Sequence, residues 1–260
     1  MNASVVCALV LGSLLLPAAG CSRAADTSTP PQPTTANHGS NHGGPEHADA
    51  HGHGPNAAHD GHAHHRHHRF DDAEQWAKQF DDPSRDAWQK PEAVIDFIAP
   101  AEDAVVADLG AGTGYFAIRF ARRVPSGRVL ANDIEPDMVR YLGERATKEG
   151  LSNVVPVQGD AADPKLSEPV DIAFMCDVYH HIDDRVGYFR RVVASLRPGG
   201  RVVIVDFKKD APADIPGPPP AMRVAQEVLV AELAEAGLVL LRDDRGTLPH
   251  QYIVELGVAP

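Results

Sequence analysis

The sequence predicts an α/β fold: a doubly wound, mostly parallel sheet of seven strands, with helices on both faces and a terminal antiparallel hairpin. Three observations carry this. From about residue 104 onward, strand-length apolar runs alternate with helix-length stretches, the order that a parallel sheet with crossover helices requires. The early runs, such as "VVADL" and "VDIAFMC", are apolar almost without interruption, as strands are when both faces of a sheet are covered. Near the C-terminal end, "LVLLRDDRGTLPHQYIVEL" holds two strand-like runs with no helix between them. They pair as a hairpin, and the last strand is inserted in the sheet.

The elements follow in chain order. "FDDAEQWAKQFDDPSRDAWQKPEAVIDFIAP" reads as two helical pieces that make an N-terminal cap over residues 70–100. Phe70, Trp76 and Phe80 can form one apolar face, and Trp88, Val94, Ile95 and Ile98 another. Pro83 and Pro91 punctuate them, each tolerable near a helix start. Strands are expected at 104–109, 128–133, 153–158, 170–176, 201–207, 238–243 and 250–256, and helices at about 114–123, 136–149, 183–196 and 221–236.

The first 69 residues are different material. Residues 1–21 contain "VVCALVLGSLLLPAAGC", strongly apolar, ending in small residues and too short to span a bilayer comfortably. The stretch resembles a signal h-region, and "PAAGCS" resembles a bacterial lipobox. That predicts lipidation of Cys21 and a chain held by lipid at a membrane surface in the cell envelope, facing the periplasm. The alternatives are simple secretion, an uncleaved anchor, or a cytoplasmic protein whose start site is misassigned. Residues 22–69 are rich in Pro, Thr, Ser, Gly, Ala and His and poor in large apolar side chains, a composition that predicts a disordered linker. Eleven of the fourteen histidines lie between His38 and His68. Closely spaced neutral imidazoles can wrap Zn²⁺, Ni²⁺ or Cu²⁺, although no ordered ligand set is fixed by the spacing.

Residues 70–260 are long enough to bury a sizeable core. They carry 21 basic and 32 acidic side chains, against three and four in the first 69 residues. An acidic domain without a basic stripe is a poor partner for nucleic acid and says nothing against a small molecule. Of the three cysteines only Cys176 lies in this part, and no CxxC occurs. A disulfide framework and a thiolate zinc site are thereby excluded within one chain. Cys176, inside an apolar run, reads as a small buried hydrophobe.

The stretch "VVADLGAGTGYFAIRF" (105–120) raises the question of function. No Gly-Lys-Ser/Thr follows the glycines, so it is not a nucleoside-triphosphate loop. A nicotinamide or flavin fingerprint needs GxGxxG/A. Gly110 and Gly112 supply two positions, but the third falls on Tyr115, whose ring would keep the helix from its strand. What remains is Asp-x-Gly-x-Gly-x-Gly, formed by Asp108, Gly110, Gly112 and Gly114.

At these residues the sequence resembles the class I S-adenosylmethionine-dependent methyltransferases, and the resemblance runs over about 92–258. It rests also on "RVLANDIEPDMV", "VVPVQGDAAD", "VDIAFMCDVYHHID", "SLRPGGRVVIVDF" and the closing "LPHQYIVEL". The resemblance implies that Gly110, Ala111, Gly112, Gly114 and Tyr115 lie along the methionyl part of S-adenosylmethionine and that Asp108 orients that loop and attracts the ammonium. It further implies that Asp133 holds the ribose hydroxyls, that Ile134 lies along the adenine, and that Asp160 accepts from the adenine amino group, with Ala161 also at the cofactor. A carboxylate offering two acceptors to two adjacent hydroxyls is a charge-assisted pairing.

Methyl transfer needs a general base only when the acceptor must lose a proton. Asp177, Tyr179, His180 and His181 lie just after the fourth strand. Asp177 is expected beside the cofactor, and His180 or His181 is the candidate base for a phenol, enol or amine. The other reading is that His181-Ile182 seats the loop while Asp183 caps the next helix. The Asn/Asp-Pro-Pro-Tyr/Phe signature of many DNA and protein methyltransferases is absent, which favours a small-molecule or lipid-like acceptor. Trp76, Phe80, Trp88 and the proline-rich "KKDAPADIPGPPPAM" are expected to shape its pocket, core packing being an equal explanation for the tryptophans. Arsenite methyltransferases rely on several cysteines, which Cys176 alone does not supply. Two other readings stand beside this one: a metal-binding surface lipoprotein whose α/β domain is a scaffold or sensor, and a nicotinamide-dependent oxidoreductase, disfavoured by Tyr115.

Overall fold

The apolar run that ends at Asp108 forms strand β1 (Val105–Leu109), buried at every position. The rest of the sheet extends outward from it. The structure is a computed structural model and describes residues 70 and 72–260. The expected signal segment, Cys21 and the tract from His38 to His68 lie outside the described residues. Among the described residues no helix is long and apolar enough to cross a membrane.

The other strands are β2 (Arg128–Asp133), β3 (Val154–Gln158), β4 (Val170–Cys176), β5 (Leu196–Phe207), β6 (Leu238–Asp244) and β7 (Gln251–Val258). Their order across the sheet is β3-β2-β1-β4-β5-β7-β6. β1 to β5 pair in parallel, and β7 runs antiparallel to both β5 and β6. The expected mostly parallel sheet and inserted last strand are both observed. The strand order reverses between β1 and β4, so their carboxyl ends open the crevice where such sheets bind ligands.

The helices are α1 (Ala73–Phe80), α2 (Arg85–Gln89), α3 (Pro91–Ile98), α4 (Ala117–Arg123), α5 (Pro136–Lys148), α6 (Arg185–Ala194) and α7 (Gln226–Glu235). Alternate residues of each central strand feed two cores. Val106, Ile172, Phe174, Val203 and Val205 pack with α3, α4 and α5. Ala107, Leu109, Ala173, Met175, Val202 and Ile204 pack with α6 and α7. At ~1.5–3 kcal/mol for each large apolar side chain removed from water, these layers hold the strand ends rigidly enough to position a site.

Several boundaries differ from the sequence expectation, each for a local reason. Helix α4 begins at Ala117 and not 114 because Gly114 has φ +94°, outside the helical region. Helix α6 is capped by Asp184, whose carboxylate accepts from Gly187 N at 2.9 Å, and not by Asp183. Helix α7 starts only at Gln226 because the proline-rich loop extends to it. Strand β5 begins at Leu196: Val170 pairs with Leu196 and Ile172 with Arg201, so the Pro-Gly-Gly segment bulges between two paired stretches. The cap is three helices and not two. Lys90 takes a left-handed conformation (φ +43°) between α2 and α3. Trp88 is thereby separated from the apolar face of α3 and packs near Phe207, with ring centroids 5.9 Å apart.

Candidate active site

β1 leads directly into the glycine loop. Gly110 has φ +75°, and a Cβ there would lie 2.5 Å from Val178 Cγ2. Backbone conformation and close approach both require glycine at this position. The segment after β4 therefore lies directly on the loop after β1. Beneath them Asp108 is 3 % exposed, and its Oδ2 has no hydrogen-bond partner, nor has the buried Thr113 Oγ1. Burial first, and then the charge of Asp133, push the Asp108 carboxyl up to about 7.

Asp133 ends β2 and is locked in place by backbone donors. Its Oδ2 accepts from Gly112 N at 2.8 Å and its Oδ1 from Glu135 N at 3.0 Å. Burial raises its pKa, with the N–H groups of Glu135, Gly112 and Ile134 acting against that rise. Each oxygen keeps acceptor capacity beyond the bond it makes. Beside it Ile134 is 49 % exposed, an apolar side chain left open at the crevice. Asp160 stands in different surroundings. It is exposed, pairs with Lys165 Nζ at 2.8 Å, and accepts from Ala162 N and Asp163 N. Its carboxylate organises its own turn, next to the exposed Ala161.

The cap helices reach the carboxyl ends of the strands. Phe80 lies over Gly112, 3.6 Å from where a Cβ would sit, and stacks with Trp76 at 5.3 Å. Arg85 is the hub of α2. Its guanidinium lies 4.0 Å from the Tyr115 ring centroid, donates to Phe80 O, and pairs with Asp177 Oδ2 at 3.4 Å. Asp177 itself has φ +60° and also accepts from Gln251 Nε2, whose Oε1 accepts in turn from Gln89 Nε2. Burial lifts the Asp177 carboxyl to about 6, with the Arg85 charge opposing the rise. Tyr115 faces this cap: its hydroxyl donates to Asp86, and Arg119 lies on its ring at 4.1 Å.

Beyond Asp177 the chain makes a short 3₁₀ turn (Tyr179–His181). His180 Nδ1 lies 3.1 and 3.2 Å from the two carboxylate oxygens of Asp206, and the two side chains are 3 % and 0 % exposed. Burial pulls the imidazole down, but the Asp206 hydrogen bond and the charges of Asp206 and Asp177 outweigh it and leave His180 above its ordinary pKa. His181 is exposed, with its ring 4.3 Å from that of His180 and 6.1 Å from Phe70. Tyr179 is directed away from the crevice, donating to Glu232 Oε2 of α7.

The structure thus gathers Asp108, the glycines, Asp133, Ile134, Asp177 and His180 around one crevice, and leaves Asp160 in an exposed turn. Sequence reasoning missed Arg85, Gln89, Gln251 and Asp206. The first three carry no motif, since their roles arise where the cap meets the sheet. Asp206 did leave a signal: like Asp108 and Asp133, it is a carboxylate at the carboxyl end of an apolar strand.

A cationic, phosphate-free ligand with a vicinal diol fits this donor set. The buried Asp108 Oδ2 lacks a donor, Asp133 retains lone pairs, and Ile134 offers apolar surface. The sheet order is that of the methyltransferase α/β fold. Residues 106–200 match the methyltransferase-domain family. The chain is similar to the ubiquinone/menaquinone biosynthesis C-methyltransferase UbiE of Pasteurella multocida, 35 % identical over 107 residues, 40 % of each chain. It is also similar to an arsenite methyltransferase of Halobacterium salinarum, 32 % identical over 118 residues, 45 % of this chain and 30 % of that one. The chain thus spans less than half the length of these curated relatives. Among solved structures, a SAM-dependent methyltransferase from Aquifex aeolicus superposes with a TM-score of 0.65 at 27 % identity, covering 71 % of this chain and 98 % of that one.

Proposed function

We propose that this chain transfers the methyl group of S-adenosylmethionine to a small-molecule acceptor by in-line displacement. The observation that carries the reading is the unpartnered Asp108 Oδ2, buried under the glycine loop one strand from Asp133. An uncompensated buried carboxylate is costly, and an ammonium group offsets that cost. When bound, the cofactor supplies a methyl group already activated by a sulfonium, which leaves the protein alignment and the exclusion of water. The glycine loop would lie along the methionyl part while Asp108 would accept from the ammonium. Asp133 would accept from the ribose hydroxyls, and Ile134 would lie along the adenine with Asp160 and Ala161 at its edge. Phe80, which lies over Gly112, and Arg85 would cover the reacting end from the cap.

The printed activities of the relatives differ in acceptor, so they do not choose one. Cys176 is buried, and burial, then the Asp177 charge, hold its thiol well above the ordinary range, which argues against arsenic as the acceptor. The formal charge of −12 argues against nucleic acid. The test is calorimetric titration of the full chain with S-adenosylmethionine and S-adenosylhomocysteine. One-to-one binding that Asp133→Ala abolishes supports the reading. A folded chain that binds neither overturns it and leaves the metal-binding arm as the working part.

Two further parts of the reading concern residues 1–69. Lipid on Cys21 would hold the domain at a membrane surface facing the periplasm; intact-mass measurement of the membrane fraction tests this. The tract from His38 to His68 would take Zn²⁺, Ni²⁺ or Cu²⁺ independently of the domain, so Asp133→Ala leaves metal titration unchanged.

A further inference from the structure

We propose that Asp206 is a positioning residue that holds His180 as the Nδ1–H tautomer, so that His180 Nε2 is the general base for an acceptor whose hydroxyl or enol proton must leave. The inference rests on the methyl-transfer reading above and adds the acceptor class and the residue that sets the base.

The geometry selects His180 over His181. His180 has a ring nitrogen between two carboxylate oxygens, at 3.1 and 3.2 Å, and its side chain is buried where that of His181 is exposed. A carboxylate accepts and does not donate, so Nδ1 carries the proton, and in the neutral imidazole Nε2 keeps its lone pair. Asp206 is itself anchored, because its Oδ1 also accepts from Phe207 N at 2.7 Å. The pair spans the crevice edge: Asp206 is the penultimate residue of β5, and His180 sits two residues after Val178, the side chain that covers Gly110. A wholly buried carboxylate with no arginine or lysine partner among the described residues is a costly feature. It is accounted for when the imidazole beside it has to become cationic. The charged groups around His180 are Asp206 from β5, Asp177 after β4, Arg185 from α6 and the neighbouring His181. The two carboxylates favour the imidazolium and Arg185 opposes it.

The step balances. The acceptor O–H proton moves to His180 Nε2, the acceptor oxygen (or the enolate carbon) takes the methyl group, and the carbon–sulfur bond breaks with its electron pair left on a neutral thioether. The positive charge of the sulfonium ends on His180, next to Asp206. A neutral amine needs no base before attack, so the dyad fits a phenol, quinol or enol better than an amine.

The experiment uses the full chain with ¹⁵N-histidine, as wild type, Asp206→Asn and His180→Gln, the last to assign the His180 signals. Asparagine keeps an oxygen for Phe207 N but presents an amide donor to Nδ1, which reverses the tautomer. Wild type is expected to show Nδ1–H with titration above the ordinary histidine range. Asp206→Asn is expected to show Nε2–H and titration at lower pH. In parallel, S-adenosylhomocysteine formation is followed with hydroquinone, catechol and benzylamine as probes. Asp206→Asn and His180→Gln are expected to lower kcat on the hydroxylated probes by about 100-fold or more, with cofactor affinity by calorimetry within about twofold of wild type. An unchanged tautomer and titration in Asp206→Asn, or turnover of benzylamine in preference to the phenols, overturns the inference while cofactor binding stands. Loss of cofactor binding by wild type would overturn the methyl-transfer reading itself.

Discussion

Asp108 shows most plainly what a single side chain contributes. Its carboxyl is raised to about 7 by burial and by Asp133, against ~3.9 for an unperturbed aspartate. Between those values the folded chain keeps a proton that the unfolded chain has lost, so stability of the ligand-free protein falls as pH rises through this window. Asp177, raised to about 6, adds to the decline. Asp108→Asn should therefore melt higher than wild type at pH 8, with a shallower dependence on pH. Parallel melting curves for the two proteins across pH 4–8 would refute the assignment. Because an ammonium favours the carboxylate, affinity for S-adenosylmethionine should rise as pH passes through about 7, and Asp108→Asn should lose both the affinity and its pH dependence in calorimetry. Gly110→Ala meets Val178 and a left-handed φ together, so cofactor binding should be lost while the sheet still folds, as circular dichroism would report.

Helix α2 is only five residues long and would not persist alone. Tertiary pairs hold it: Arg85 to Asp177, Asp86 to Tyr115 and Arg119, and Gln89 to Gln251. The cap as a whole is tied to α5 by Arg145–Asp81 at 2.9 Å, by Arg140–Glu74 at 2.8 Å, and by Ala73 N donating to Asp137 at 2.7 Å. The Arg140 pairs are surface contacts and contribute little, whereas removing Arg85 strands a mostly buried carboxylate. Arg85→Met should destabilise the protein by about 2–3 kcal/mol, whereas Arg140→Met, which removes only surface contacts, should change stability far less. Amide exchange in 73–89 should accelerate in Arg85→Met while β1 and β4 stay protected. Equal protection of the cap in both variants would show that it does not depend on the Arg85 hub.

At the scale of the molecule, two packed layers on a central parallel sheet make the crevice a property of the whole domain. Ligand binding at the ends of β1 and β2 should then stabilise the domain as a unit. At 100 times its Kd, S-adenosylmethionine should add about 2.7 kcal/mol, a rise in Tm of roughly 5–10 °C for a domain of this size. Nicotinamide dinucleotide should produce none, because Tyr115 occupies the place where that fingerprint needs a small residue and is held there by Asp86, Arg85 and Arg119. A shift with the dinucleotide and none with S-adenosylmethionine would reverse the choice of ligand.

The sequence by itself determined the order of strands and helices, the inserted last strand, and the loop from Asp108 to Gly114 with Asp133 on the next strand. These are legible because they depend on local periodicity and on glycines and acids at fixed spacing along one segment. Helix starts were misjudged at 114, 183 and 221, where a left-handed glycine, the choice of capping aspartate and a proline-rich loop decide within a few residues. Only the tertiary structure decided which of two adjacent histidines meets Asp206, that Arg85 reaches Asp177 across 92 residues of sequence, and that Asp160 stands in an exposed turn. Those outcomes depend on which side chains the folded sheet brings together and on how completely it removes them from water, and neither is written in the spacing of residues along the chain.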